Sequence, residues 1–325
     1  MKSTARHLLI ASLGTLPLTL GTLPAGAASL PDTINIPGER VFPESITSAS
    51  DGTVIIGSIG QKQIYRAKPG SADAEVWIPA GTDGLNNLLG VFADNKSNTL
   101  YACSNVIGPP GAVPAVNATL YAFDLKSGAT RGHYVFPTEK GVCNDVAVDA
   151  QGNVYATDTS NLEIVRLKKG GTALEVWAGN GAFGPPKSVL DGISVLGNRI
   201  YANTLMTSKL FTVPIKPDGT AGAVTEVKLD REILHPDGMR SFGKSDVLIV
   251  EGGNGGRLSR IALNGETGKV TTLKEGYPDG PVSVTVVGTM AYVLEGQLAS
   301  LMRPPEAPAA PPKPFKATAV QVGKP

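Results

Sequence analysis

Short apolar runs separated by polar turns recur along this chain about every 45 to 55 residues, the spacing of propeller blades. Each unit opens with a short apolar strand, passes a turn, continues in a second strand rich in Val, Ile, Tyr and Ala, and ends in a third that alternates apolar and polar positions. The third unit shows the pattern best. Val146-Ala147-Val148 leads through Asp149-Ala150-Gln151-Gly152 to Val154-Tyr155-Ala156, and then to Ile164-Val165-Arg166-Leu167. Five further first strands follow the same phase: Ile46-Thr47-Ser48, Val91-Phe92-Ala93, Ile193-Ser194-Val195, Met239-Arg240-Ser241 and Val284-Thr285-Val286. The pattern predicts an all-β, six-bladed β-propeller in one domain over residues 32–322. Thr33-Ile34-Asn35-Ile36 and Phe315 to Val320 read as strands at the two ends. Both are expected to complete blade six, because an unclosed ring leaves an exposed sheet edge. The Pro-rich stretch 304–314 lacks N–H donors and is expected to form a loop outside the sheet.

Composition agrees with many short strands joined by tight turns. Among 325 residues there are 39 glycines and 25 prolines, with 42% hydrophobic side chains against 18% charged ones. The formal charge of +1 has no basic cluster behind it, so a nucleic-acid partner is not expected. No protein partner is indicated. At the N-terminus Lys2 and Arg6 precede an apolar stretch from Leu8 to Leu20, and Ala25-Gly26-Ala27 supplies a small-x-small cleavage pattern. Residues 1–27 therefore read as a secretory signal, too short and too broken by Pro17 for a retained anchor. The mature protein is expected in the periplasm or outside the cell, without a membrane contact. An oxidising compartment lets Cys103 and Cys143 pair. Repeat alignment places Cys103 at the end of the second strand of blade two and Cys143 at the start of blade three. The disulfide is expected, with two buried thiols as the alternative.

The residue just before each first strand is Glu44, Leu89, Asn144, Asp191, Asp237 or Val282. First strands line the axis of a propeller, so these six positions converge at one end of the channel. Four of them carry side-chain oxygens. Three carboxylates at close quarters raise one another's pKa unless a cation neutralises them. Oxygen-only donors suit a hard divalent ion, calcium first, with magnesium, manganese or zinc as alternatives. Pro217-Asp218-Gly219 and Pro278-Asp279-Gly280 lack this register and read as turns.

Around these positions stand Phe-Pro-Glu-Ser-Ile at Glu44, Cys-Asn-Asp-Val-Ala-Val-Asp at Asn144 and Leu-Asp-Gly-Ile-Ser at Asp191. His235-Pro236-Asp237-Gly238-Met239 is followed by Gly252-Gly253-Asn254-Gly255-Gly256-Arg257. Together these segments resemble the SMP-30/gluconolactonase family over about residues 40 to 322. The resemblance implies a six-bladed propeller, an axial divalent ion and hydrolysis of a small ester, most often a lactone, with phosphotriester cleavage known in related propellers. By position it implies Glu44, Asp191 and Asp237 as metal ligands, and Asn144 as a ligand or a substrate contact. Asp191-Gly192 departs from the family's Asn-Gly and adds a negative charge.

Asp237 is the candidate general base, with Asp191 as the alternative. Asp158, Asn203 and Glu251, at the ends of second strands, are expected to face the same mouth as substrate-binding groups, with solvated loop residues as the alternative, and His235 stands nearby as a substrate contact or a turn cap. No serine-hydrolase elbow or dinucleotide fingerprint is present. The alternative functions are a propeller that binds a small molecule or a protein without catalysis and a phosphotriesterase-like hydrolase on the same metal ring, since fold does not settle chemistry.

Overall fold

In the computed structural model, residues 1, 30–108, 117–253, 255–301 and 312–325 are described. Residues 2–29, where a secretory signal is expected, residues 109–116, Asn254 and most of the Pro-rich stretch expected to form a loop lie outside them. Among the described residues six sheets, antiparallel except for one edge of the fifth, follow one another along the chain. Their inner strands are Pro43–Ser48, Asn87–Asp94, Cys143–Val148, Leu190–Leu196, Pro236–Phe242 and Pro281–Val287. Each lies against the next, and the last lies against the first. The protein is a six-bladed β-propeller.

Blade six is closed by both chain ends. Phe315–Gln321 pairs with Met290–Glu295, and Thr33–Ile36 pairs in turn with Phe315–Gln321, with Thr33 opposite Thr318 and Ile36 opposite Phe315. The outer edge of blade four is only Thr225–Glu226. The chain then crosses over, and Lys228–Leu229 adds a parallel edge to blade five beside Thr267 and Gly268. That crossover carries no apolar pattern and is not visible in the sequence.

The core is six layers, one between each pair of neighbouring blades. A second strand is buried on both faces, so its successive residues serve different layers. Val154 and Ala156 pack toward blade two, while Tyr155 between them packs toward blade four. Continuous apolar runs result. Blades approach closely enough near the axis that a Cβ on Gly90 would meet the Asn144 carbonyl oxygen at 2.2 Å, and one on Gly192 would meet that of Asp237 at 2.6 Å.

Cys103 and Cys143 form a disulfide, both wholly buried, with Cα atoms 5.1 Å apart. It ties the second strand of blade two, Thr99–Asn105, to the inner strand of blade three.

Candidate functional site

Every inner strand begins with a β-bulge. The register slips between Pro43 and Ser45, Leu88 and Val91, Cys143 and Val146, Leu190 and Ile193, Pro236 and Met239, and Pro281 and Ser283. Residues caught in the slips include Glu44, Leu89, Asn144, Asp191, Asp237 and Val282. A bulge re-aims side chains out of the pleat. All six line the floor of one cavity of about 840 Å³ on the propeller axis.

The three carboxylate blades share a further device. Two residues before Glu44, Asp191 and Asp237 stand Phe42, Val189 and His235, with φ of 42°, 60° and 46°; Gly280 of blade six, at φ 78°, holds the same position. Their carbonyls accept hydrogen bonds from the N–H of Ile59, Leu205, Gly252 and Gly296, respectively, at 2.9 to 3.1 Å. Each bond pins the entry to an inner strand onto the end of the second strand.

Oxygens of Glu44, Asp191 and Asp237 lie within 4.8 Å of one another, with Glu44 and Asp191 buried and Asp237 half-buried. Burial is the main force raising all three pKa values. For Glu44, burial and then the charges of Asp191 and Asp145 outweigh Arg240. Asp191 is pushed up to about 7 by burial and then by Asp145. Asp237 is raised by burial and then by Asp191 and Glu44. One oxygen of Asp191, Oδ1, is buried with no hydrogen-bond partner. An unsatisfied buried carboxylate oxygen beside two more carboxylates is a cation's environment. Asn144 donates its amide nitrogen to Thr159 Oγ1 at 3.1 Å, which leaves its carbonyl oxygen as a neutral donor. Oxygen donors alone, without thiolate or imidazole, fit a hard divalent ion.

Beneath the cluster lies an ion pair that sequence reasoning did not single out. Arg240 Nη1 donates to Asp145 Oδ2 at 2.7 Å, with both side chains buried. From blade five, Arg240 also donates to Met239 O at 2.8 Å, to Val91 O of blade two at 3.0 Å and to Ser45 Oγ of blade one at 3.3 Å. It crosses the axis and closes the floor. The only sequence signal was an arginine in a strand position held by Thr47, Phe92, Ala147, Ser194 and Thr285 in the other blades.

Other expected substrate contacts are not part of the cavity lining. Asp158 is fully buried, and its Oδ1 accepts the N–H groups of Val142, Ser160 and Asn161 at 3.1 to 3.2 Å, so it organises a turn. Glu251 is fully buried in an ion pair with Arg231 at 2.9 Å and accepts the Leu234 N–H at 2.8 Å. In both cases local orphan donors claim the carboxylate. Asn203 stands one layer back and donates to the Asp237 backbone oxygen at 2.7 Å, which fixes that residue's strand. His235 is exposed, and its backbone N–H donates to Ser208 Oγ at 3.2 Å. His133 is on the outer strand of blade two, Thr130–Val135.

No protein-family model matches the sequence, and no curated protein is similar enough to match it. Solved structures do. A gluconolactonase from Xanthomonas campestris superposes with a TM-score of 0.61 at 13% identity, over 85% of this chain and 91% of that one. The fold is that of the gluconolactonase propellers. A luciferin-regenerating enzyme gives 0.61 at 10% identity, over 90% of this chain and 98% of its own. Virginiamycin B lyase from Staphylococcus aureus gives 0.57 at 17% identity, over 81% and 80%. That lyase is catalytically inactive when one histidine is replaced by alanine.

Proposed function

We propose that this protein is an exported, divalent-cation-dependent hydrolase of a small ester-like substrate, most simply a lactone, with calcium as the ion. The observation that carries the reading is the cluster of Glu44, Asp191 and Asp237 at the closed end of a cavity large enough for a small molecule. The disulfide and the N-terminal leader pattern support export. No helix among the described residues is long and apolar enough to cross a membrane.

Glu44, Asp191 and Asp237 would hold the ion, with Asn144 as a neutral oxygen beside them. A cation there supplies positive charge that polarises a carbonyl and stabilises the oxyanion. Of the three carboxylates Asp237 is the least buried, and so the one water reaches most readily. It accepts a proton as the water oxygen bonds to the carbonyl carbon. The C–O ester bond then breaks, and the proton passes to the departing alkoxide, giving an acid and an alcohol. Asn203 holds the Asp237 backbone during this exchange, and Arg240 keeps the floor closed to solvent from below.

The test is a panel of aldonolactones, alkyl lactones, aryl esters and phosphotriesters, assayed with calcium and with chelator. Lactone turnover that chelator removes is expected. Asp237→Asn should lower it about 10²- to 10⁴-fold, the usual effect of losing a general base. Asp191→Asn should keep or raise it, because an amide is still an oxygen ligand and leaves the ion more Lewis-acidic. Equal losses in both variants with the ion retained would contradict these roles. No turnover of any substrate by the parent would leave the binding propeller.

A further inference from the structure

We infer that the cavity takes an ester or lactone whose remainder is apolar, an alkyl or aryl group rather than a polyhydroxylated sugar; this rests on the hydrolase reading and adds the substrate class to it. The floor is polar, but the wall above it is not. Ile59, Ile107, Val189, Leu205, Leu298 and Leu301 face the cavity. Ile107, Val189 and Leu205 belong to none of the six core layers, so packing of the fold does not account for them. Val189 is also β-branched at a φ of 60°, a conformation such residues rarely adopt. An apolar side chain is placed at the wall there against local backbone preference.

The polar side chains of the wall are few and mostly bonded to one another. The Gln297 amide exchanges two bonds with the Lys313 backbone, each at 2.9 Å, and the Lys313 amine pairs with Asp279 Oδ1 at 2.6 Å. Among the described lining side chains above the floor, Ser300 is the other hydrogen-bonding group. A sugar lactone brings several hydroxyls, each of which loses water on entry and needs a partner in return. This wall provides few, all on the four side chains Asp279, Gln297, Ser300 and Lys313. An alkyl or aryl group needs none and gains from burial. Ile107 of the lining is itself 43% exposed, and the chain neighbours of Ile107 and Leu205, Val106 and Met206, are exposed apolar residues as well.

The experiment uses the full mature chain loaded with calcium and γ-lactones carrying methyl, butyl, hexyl and octyl groups, alongside glucono-δ-lactone. Expected is a kcat/KM that rises about fourfold per methylene until the chain outgrows the wall, equivalent to ~0.8 kcal/mol per buried CH₂ at 1.4 kcal/mol per tenfold. Leu205→Asn should flatten that slope. A flat series, or preference for glucono-δ-lactone, overturns the inference while leaving the hydrolase intact. Should no lactone be hydrolysed, the hydrolase reading fails, and calorimetric titration with the matching 5-alkyl-2-pyrrolidinones decides the wall by itself. Affinity that climbs with chain length then supports an apolar site; affinity independent of chain length, or no binding, overturns it.

Discussion

Without a divalent ion in the carboxylate cluster, the fold should lose stability as pH rises from about 4.5 to about 7.5. In the ion-free chain, burial and then Asp145 push the Asp191 carboxyl from its ordinary 3.8 up to about 7, and Glu44 and Asp237 are raised as well. A carboxyl raised in the folded state binds its proton more tightly there than in the unfolded chain. Its contribution therefore favours the fold fully below the unfolded pKa and is lost as pH climbs through the folded one. For Asp191 alone, a rise of about three units at 1.36 kcal/mol each is worth about 4 kcal/mol. About 3 kcal/mol of that is lost between pH 4.5 and 7.5, and with ~2 °C of Tm per kcal/mol in a domain of this size the fall is about 6 °C. Carboxylates held low, such as Asp124 at about 2, act only at more acidic pH and leave this window clear. On the proposed function a divalent ion such as calcium takes the place of these protons, so its stabilisation should be large at pH 7.5 and small at pH 4.5. Scanning calorimetry in chelator and in calcium measures both, and Asp191→Asn should remove much of the slope. A chelated protein whose Tm is level or rises across the window would refute the shared-charge account of the site.

Arg240→Met should destabilise the protein by about 3–5 kcal/mol, because it leaves Asp145 buried without its partner, whereas Arg240→Met with Asp145→Asn should recover most of the loss. Urea unfolding in calcium decides it; a double variant as unstable as the single one would contradict the pairing. Reduction of the Cys103–Cys143 bond, or Cys103→Ala with Cys143→Ala, should cost about 4 kcal/mol, the chain-entropy value for a separation of 40 residues. Identical guanidinium midpoints for oxidised and reduced protein would show that the bond does not constrain the unfolded chain.

The ring and its axial positions were legible because one physical cause wrote them six times. Second strands buried on both faces must be apolar at nearly every position, and the bulge that opens each inner strand recurs in phase, so Glu44, Asn144, Asp191 and Asp237 fall at one register. What that periodicity does not encode is a local demand. Asp158 and Glu251 end their second strands in phase with Thr204, one residue past the register of Asn203, and there nearby backbone N–H groups and Arg231 claim them. Nor does it encode contacts across the axis. Arg240 meets Ser45, Val91 and Asp145, residues from three other blades, and nothing within one blade announces that meeting.

Backbone conformation and charge point the same way at this site. Phe42, Val189 and His235 are held in a left-handed conformation, while the corresponding residues of blades two and three, Asn87 and Val142, are not. Such residues cost on the order of 1–3 kcal/mol each and persist only where the surroundings fix them. Here the fixing contacts are the carbonyl bonds to Ile59, Leu205 and Gly252, joined at Phe42 by edge-on packing against Phe315 with ring centroids 5.4 Å apart. The three blades that carry this strain are the three that carry the carboxylates. Without a cation, strain and mutual repulsion both oppose the folded site, and their sum is comparable to a sizeable part of a domain's net stability. A divalent ion relieves the repulsion but not the strain. The bulges and carbonyl bonds must therefore hold Glu44, Asp191 and Asp237 in place whether or not an ion is bound, which makes the site preorganised rather than assembled by its ligand.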